Sequence, residues 1–164
     1  MKKAFLLVLL FPLLCLSQTS YIDSLSDITY NHPSSDDSTQ MHNYVLLVRA
    51  HIANKTTDSL LPVSKKAIEF AKEKNKPEYL ANSYNLHGVY YKINKEFNQA
   101  IEIFNIAHSY LKQIKTPNRI QCVVNYNLCN SHATLGNLDS SYIYAKQSYQ
   151  AAVATNDINY QSLT

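Results

Sequence analysis

Between Pro77 and Ile114, large and small apolar residues recur in an order that describes two helices packed against each other. Numbered from Ala81, Tyr84, Gly88 and Tyr91 fall at positions 4, 8 and 11, and Phe97, Ala100, Phe104 and Ala107 at positions 17, 20, 24 and 27. Steps of three, four and seven keep each set on one helix face. Gly88 and Ala100 are small enough to let the helices approach, while Tyr84, Tyr91 and Phe104 fill the space beside them. The same order comes round twice more. Gln40 to Asn54 carries Tyr44, Leu47, Val48 and His51 at the spacing of Tyr84, His87, Gly88 and Tyr91. A second helix follows from Asp58, with Leu60, Ser64 and Ala67 in the places of Ala100, Phe104 and Ala107. Pro62 is compatible with that helix because it falls in the first turn, where few amides have intrahelical partners. The third copy has Leu128, Cys129 and His132, then a turn at Leu135-Gly136-Asn137-Leu138, then Ser141, Ala145 and Ser148.

Leu60, Ala100 and Ser141 are spaced 40 and 41 residues apart. Asp58-Ser59 matches Asp139-Ser140, Ala71 matches Ala152 and Asn75 matches Asn156, all at an offset of 81. Pro77 and Pro117 are 40 apart, each expected in the first turn of a helix with Asn75 or Thr116 capping it. This arrangement resembles the tetratricopeptide (TPR) repeat, a helix-turn-helix unit of ~34 residues, here with each helix lengthened by about a turn. The resemblance implies an all-α fold, a right-handed superhelix of antiparallel helix pairs forming a TPR-like α-solenoid. The expected organisation is a signal peptide at 1–17, a capping helix and loop at 18–38, a degenerate repeat at 39–76, repeats at 77–115 and 116–155, and the opening of a fourth at 156–164. Tyr21, Ile22, Leu25 and Ile28 give the capping helix its apolar face. Asn31 to Ser38 is loop chemistry, with Ser38 or Thr39 as the expected cap of the next helix. Each unit of a solenoid buries its neighbour's apolar face. Ile143, Tyr144, Ala151 and Val153 are therefore expected to stay partly uncovered, as in a longer array or a homo-oligomer.

Lys2 and Lys3 precede an uncharged apolar run from Ala4 to Leu16, too short to span a bilayer comfortably. It reads as a secretory leader cut between Ser17 and Gln18. Leu14, not a small residue, precedes Cys15, which argues against a lipid anchor there. The expected destination is the periplasm or the exterior, with membrane attachment only if the leader stays uncleaved or a downstream segment exists. The formal charge of +3 becomes +1 once Lys2 and Lys3 are removed, so charge gives no case for a nucleic-acid partner. Thirteen tyrosines stand against two glycines and no tryptophan. Tyrosine suits half-buried helix contacts, where the ring packs and the hydroxyl reaches water. Cys122 and Cys129 lie about 10.5 Å apart along one helix, beyond disulfide reach, and read as separate buried thiols.

Six histidines raise the question of a metal. His51 and His132 occupy the place of Tyr91 and His87 lies one turn away, so packing explains all three. His32 lies in the loop, and His42 and His108 are isolated. No zinc-type His pair with an intervening acid occurs. There is no nucleophile motif and no glycine-rich loop for a phosphate, and Glu69, Glu73, Glu96 and Glu102 read as a solvated face beside lysines. The expectation is no catalytic residue, no cofactor and no metal.

The long period, the Ile22-Asp23-Ser24-Leu25 start, the Asp36-Asp37 loop and the Asp58-Ser59-Leu60 turn resemble exported TPR proteins of the Bacteroidetes type. That resemblance implies a non-enzymatic protein-interaction scaffold. Its alternative is the sensory input part of a truncated two-component histidine kinase or helix-turn-helix transcriptional regulator. In TPR stacks the concave surface is lined by positions 2, 5, 9 and 12 of the first helix. Here these are His42, Val45, Arg49 and Ile52; Asn82, Asn85, Val89 and Lys92; and Val123, Tyr126, Asn130 and Ala133. Arg49, Asn82, Asn85, Lys92, Tyr126 and Asn130 are the expected peptide-binding face, with exposed asparagines for a peptide backbone and Tyr126 as a flat anchor. The pattern does not match the TPR groove that clamps a peptide carboxylate. The partner is an unidentified protein or peptide.

Overall fold

The computed structural model describes residues 21–161, which excludes the leader and the last three residues of the expected fourth repeat. Residues 21–30 form α1. There follow α2 (Asp37–Ala53), a 3-10 turn (Thr57–Ser59), α3 (Leu60–Lys74), α4 (Pro77–Ile93), α5 (Phe97–Leu111), α6 (Arg119–Thr134), α7 (Leu138–Ala154) and α8 (Ile158–Gln161). No strand occurs among the described residues. The chain divides into two compact units, Met1–Ser59 and Leu60–Thr164, and the expected first repeat, 39–76, spans that division.

In the first unit, α1 and α2 are joined by buried polar contacts. The Gln40 side chain donates to the Thr29 carbonyl at 2.9 Å and accepts from the Ser34 amide at 3.0 Å. One amide group thus satisfies backbone at both ends of the loop. The cap of α2 is Asp36, whose carboxylate accepts from the Thr39 amide at 2.8 Å and its hydroxyl at 2.6 Å. Ser38 and Thr39 are therefore inside the helix, one turn later than their expected role. An aspartate at this place also sets negative charge at the positive end of the helix dipole.

In the second unit α4 packs most extensively on α5 and α6 on α7, with α3 against α4 and α5 against α6. Short turns make these neighbours antiparallel. The core is Ala81, Ala100, Phe104, Ala107, Leu111, Ile120, Val124 and Leu128. Gly88 sits at the closest approach of α4 to α5, where a Cβ would lie 2.4 Å from Cε1 of Phe104 and 2.5 Å from its Cδ1. The glycine thus makes room for a ring with no exposed surface.

The turns inside the repeats share one backbone device. Lys55, Lys95 and Gly136, spaced 40 and 41 apart, have φ of 58°, 63° and 77°. The following amides of Thr56, Glu96 and Asn137 donate back to the carbonyls of His51, Tyr91 and His132 at 3.0, 2.9 and 2.9 Å. A left-handed residue here reverses the chain and satisfies carbonyls left open at the helix end. Asn156 repeats the device after α7, with φ of 55° and Asp157 donating to Ala152 at 2.9 Å.

Neither α4 nor α6 is capped by the residue its sequence suggests. Asn75 is itself left-handed, at φ 49°, and the residue flanking α4 is Lys76, with Pro77 at the first helical position. Before α6 the flanking residue is Asn118, so Pro117 stays outside the helix and Thr116 does not cap it. Gln121 reaches back to accept from the Asn118 amide at 3.1 Å, the returning arm of a capping box.

Candidate functional site

Two of the six residues expected on the peptide face are held together inside the second unit, but as framework. Asn85 on α4 is 4% exposed and Asn127 on α6 is 5% exposed. The Asn127 amide donates to Oδ1 of Asn85 at 2.8 Å, and its own Oδ1 accepts from Nζ of Lys92 at 2.5 Å. Asn85 and Lys92 lie seven residues apart on α4, two turns on one face, so one asparagine of α6 bridges both. Burial pushes the Lys92 ammonium below the usual lysine range, because the charged form gives up solvent there. Asn85 is thus not the exposed groove residue expected of it. Asn127 was outside the expected face because position 6 of the TPR pattern is not a lining position; its partner is 42 residues away in sequence.

The remaining members fall in two places. Asn82 and Tyr126 are half-buried and Asn130 is exposed, on the same two helices as the bridge. Tyr126 is not an open platform: the ring of Tyr160 on α8 stands edge-on to it at 5.6 Å. Tyr160 lies under the Arg119 guanidinium at 5.6 Å, and Arg119 pairs with Asp157 at 2.8 Å. Arg49 is exposed on α2 of the first unit.

Four of the six histidines, His51, His87, His108 and His132, are packing residues, while His32 and His42 are exposed. Nδ1 of His51 is 2.8 Å from the Thr56 hydroxyl and Nδ1 of His87 is 3.0 Å from the Ser64 hydroxyl. His132 stacks on Tyr144 at 5.6 Å with its Nδ1 buried and unpartnered, and His108 meets the same ring edge-on at 5.6 Å. Burial lowers the pKa of His51, His87 and His132, and for His87 the nearby Lys65 adds to it. Among the described residues no group of three or more His, Cys, Asp or Glu could hold a metal ion. Cys122 and Cys129 are free thiols, set against the hydroxyls of Thr155 at 3.6 Å and Ser141 at 3.5 Å. Burial pushes the Cys122 thiol up, away from nucleophilic character. No helix among the described residues is long and apolar enough to cross a membrane.

This arrangement can present amides and one tyrosine edge along α4 and α6 at a spacing fixed from beneath by buried hydrogen bonds. No family model matches the chain, and no curated protein matches it. Among solved structures, the apo form of RapI matches with a TM-score of 0.71 at 16% identity, over 90% of this chain and 42% of that one. The likeness is one of fold, and this chain spans less than half the RapI chain. Helix pairing and likeness together make this an all-α, TPR-like helical-repeat protein.

Proposed function

We propose that this helical-repeat protein is a non-enzymatic interaction scaffold that receives an extended peptide along α4 and α6. The observation that carries the reading is the Asn85–Asn127–Lys92 bridge, with Asn82, Tyr126 and Asn130 nearer the surface on the same helices. A groove whose walls are held apart at a fixed distance loses less ordering entropy when a ligand arrives. The test is selection of peptides from a random display library on the purified chain, followed by binding to Asn82→Ala/Asn130→Ala. Loss of binding at unchanged helicity is expected. Peptides held equally by the double variant would remove this face from consideration.

The proposal extends to export as a TPR protein of the Bacteroidetes type, working in the periplasm or outside the cell. The support is the leader-like sequence of residues 1–17 and the long repeat period. Intact mass of the protein recovered from its producing cells tests it, a chain beginning at Gln18 being the expected result.

A further inference from the structure

The bridge beneath the peptide face has a direction. An ammonium can only donate hydrogen bonds, so the contact from Nζ of Lys92 at 2.5 Å fixes which way round the Asn127 amide lies, with its oxygen toward the lysine. Its nitrogen then points the other way and donates to Oδ1 of Asn85 at 2.8 Å. That leaves the Asn85 nitrogen at the far end of the row, where no described residue accepts from it. The amide oxygens of the row are thus engaged, while N–H groups remain in surplus on all three residues.

Lys92 also lacks a counter-charge. Lys74 and Lys92 are the half-buried lysines among the described residues. Lys74 pairs with Glu73 at 3.1 Å, whereas no described carboxylate forms an ion pair with Lys92. Burial holds its ammonium below the usual lysine range with no acid to offset it. A cation that gives up water is well held only when it is paired, and Asn127 supplies a dipole in place of a charge. A lysine in the last turn of α4 could instead rest on the open carbonyls of its own helix end, but this one reaches across to α6. The three heads are linked bond to bond, so one ligand group can reach more than one of them. A cation flanked by surplus N–H groups is complemented by an anion that only accepts, and a carboxylate is the form of it that an unmodified peptide carries. Building on the reading of α4 and α6 as a peptide face, we propose that Lys92, with the amides of Asn127 and Asn85, is the subsite for a carboxylate of that peptide. The carboxylate is either an Asp or Glu side chain or the peptide's C-terminus.

The test uses peptides selected on the purified chain. They should share an Asp or Glu at one place, or else require a free C-terminus. Replacing that acid with Asn or Gln, or amidating the C-terminus, should weaken binding roughly 10-fold or more, as expected for a lost hydrogen bond to a charged group. Whichever of the two changes has this effect names the source of the carboxylate. On the protein side, Lys92→Gln keeps an N–H for Asn127 and removes the charge. It should weaken the acidic peptide by a similar factor and leave the affinity for the neutralised peptide unchanged, while Lys92→Arg should retain binding. A lysine that served only the packing of α4 on α6 would lower both affinities alike. The peptide substitutions need no protein variant, so they decide the matter even if Lys92→Gln unfolds the chain. Peptides that are lost with Asn82→Ala/Asn130→Ala, yet are indifferent both to neutralising the acid and to amidation, overturn this inference and leave the groove reading standing. A chain that takes no peptide, or one whose Asn82→Ala/Asn130→Ala variant takes them equally well, fails the groove reading and this inference with it.

Discussion

Replacing Gly88 with alanine sets two effects of similar size against each other, and the geometry decides between them. Alanine in a helix interior is favoured over glycine by ~0.8–1.0 kcal/mol. Against that, the new methyl would stand 2.4 Å from Cε1, 2.5 Å from Cδ1 and 3.0 Å from Cζ of Phe104, where carbon atoms in contact sit at about 3.5–4.0 Å. The ring cannot swing aside into water. Phe104, Ala81, Ala100 and Ala107 all have no exposed surface, so relief requires α4 and α5 to move apart along their most extensive contact. Overpacking of this kind costs about 1–3 kcal/mol, and an overlap of an ångström on two ring atoms belongs at the upper end. Gly88→Ala should therefore lower stability by about 1–2 kcal/mol net. Urea unfolding followed by far-UV circular dichroism measures it. A cycle with Phe104→Leu, which removes the distal ring atoms, isolates the clash. The double variant should be more stable than the sum of the singles by ~0.5–3 kcal/mol. A Gly88→Ala midpoint at or above that of the parent, or strictly additive effects, would refute the packing account.

Lys95 stands in the left-handed region at φ 63° with its side chain exposed. A non-glycine residue there gives up roughly 1–2 kcal/mol, which exceeds the ~0.4–1 kcal/mol that glycine's freedom adds to the unfolded chain. Lys95→Gly should raise the urea midpoint, and Gly136→Ala at φ 77° should lower it. His51, His87 and His132 all have folded-state pKa values lowered from 6.5 by burial. Their folded forms thus bind protons less readily than the unfolded chain, so stability is whole above about pH 6.5 and is lost as pH falls through the depressed values. The melting temperature should drop between pH 7 and pH 5. His132→Phe, which keeps a ring on Tyr144 and removes a titrating group, should make that drop shallower; a flat profile in the parent would contradict the burial of these rings.

Most of the fold was legible in the sequence because TPR-like packing depends on residue size at short spacing. Gly88 opposite Phe104, with Ala100 and Ala107 beside it, is a complementarity that one helical hairpin of the chain carries within itself. His51 and His132 likewise declared themselves by standing where the packing Tyr91 stands in the neighbouring copy. Local pattern also identified Gly136 as a turn residue. It missed Lys55 and Lys95, since lysine does not advertise a positive φ that the helix-ending hydrogen bonds impose on it. It placed the cap of α2 two or three residues from Asp36 and that of α6 two residues from Asn118, because Ser, Thr, Asp and Asn all suit that role and only the path of the entering chain selects one. The peptide face was the least legible part. Asn85 and Asn130 look equivalent in sequence, yet Asn85 is sealed beneath the surface by Asn127 and Asn130 is not. That difference comes from how two helices 42 residues apart settle against each other. Short-range periodicity names the faces of a helix, but which polar residue on a face meets water and which meets another amide is decided only when the neighbouring helix is in place.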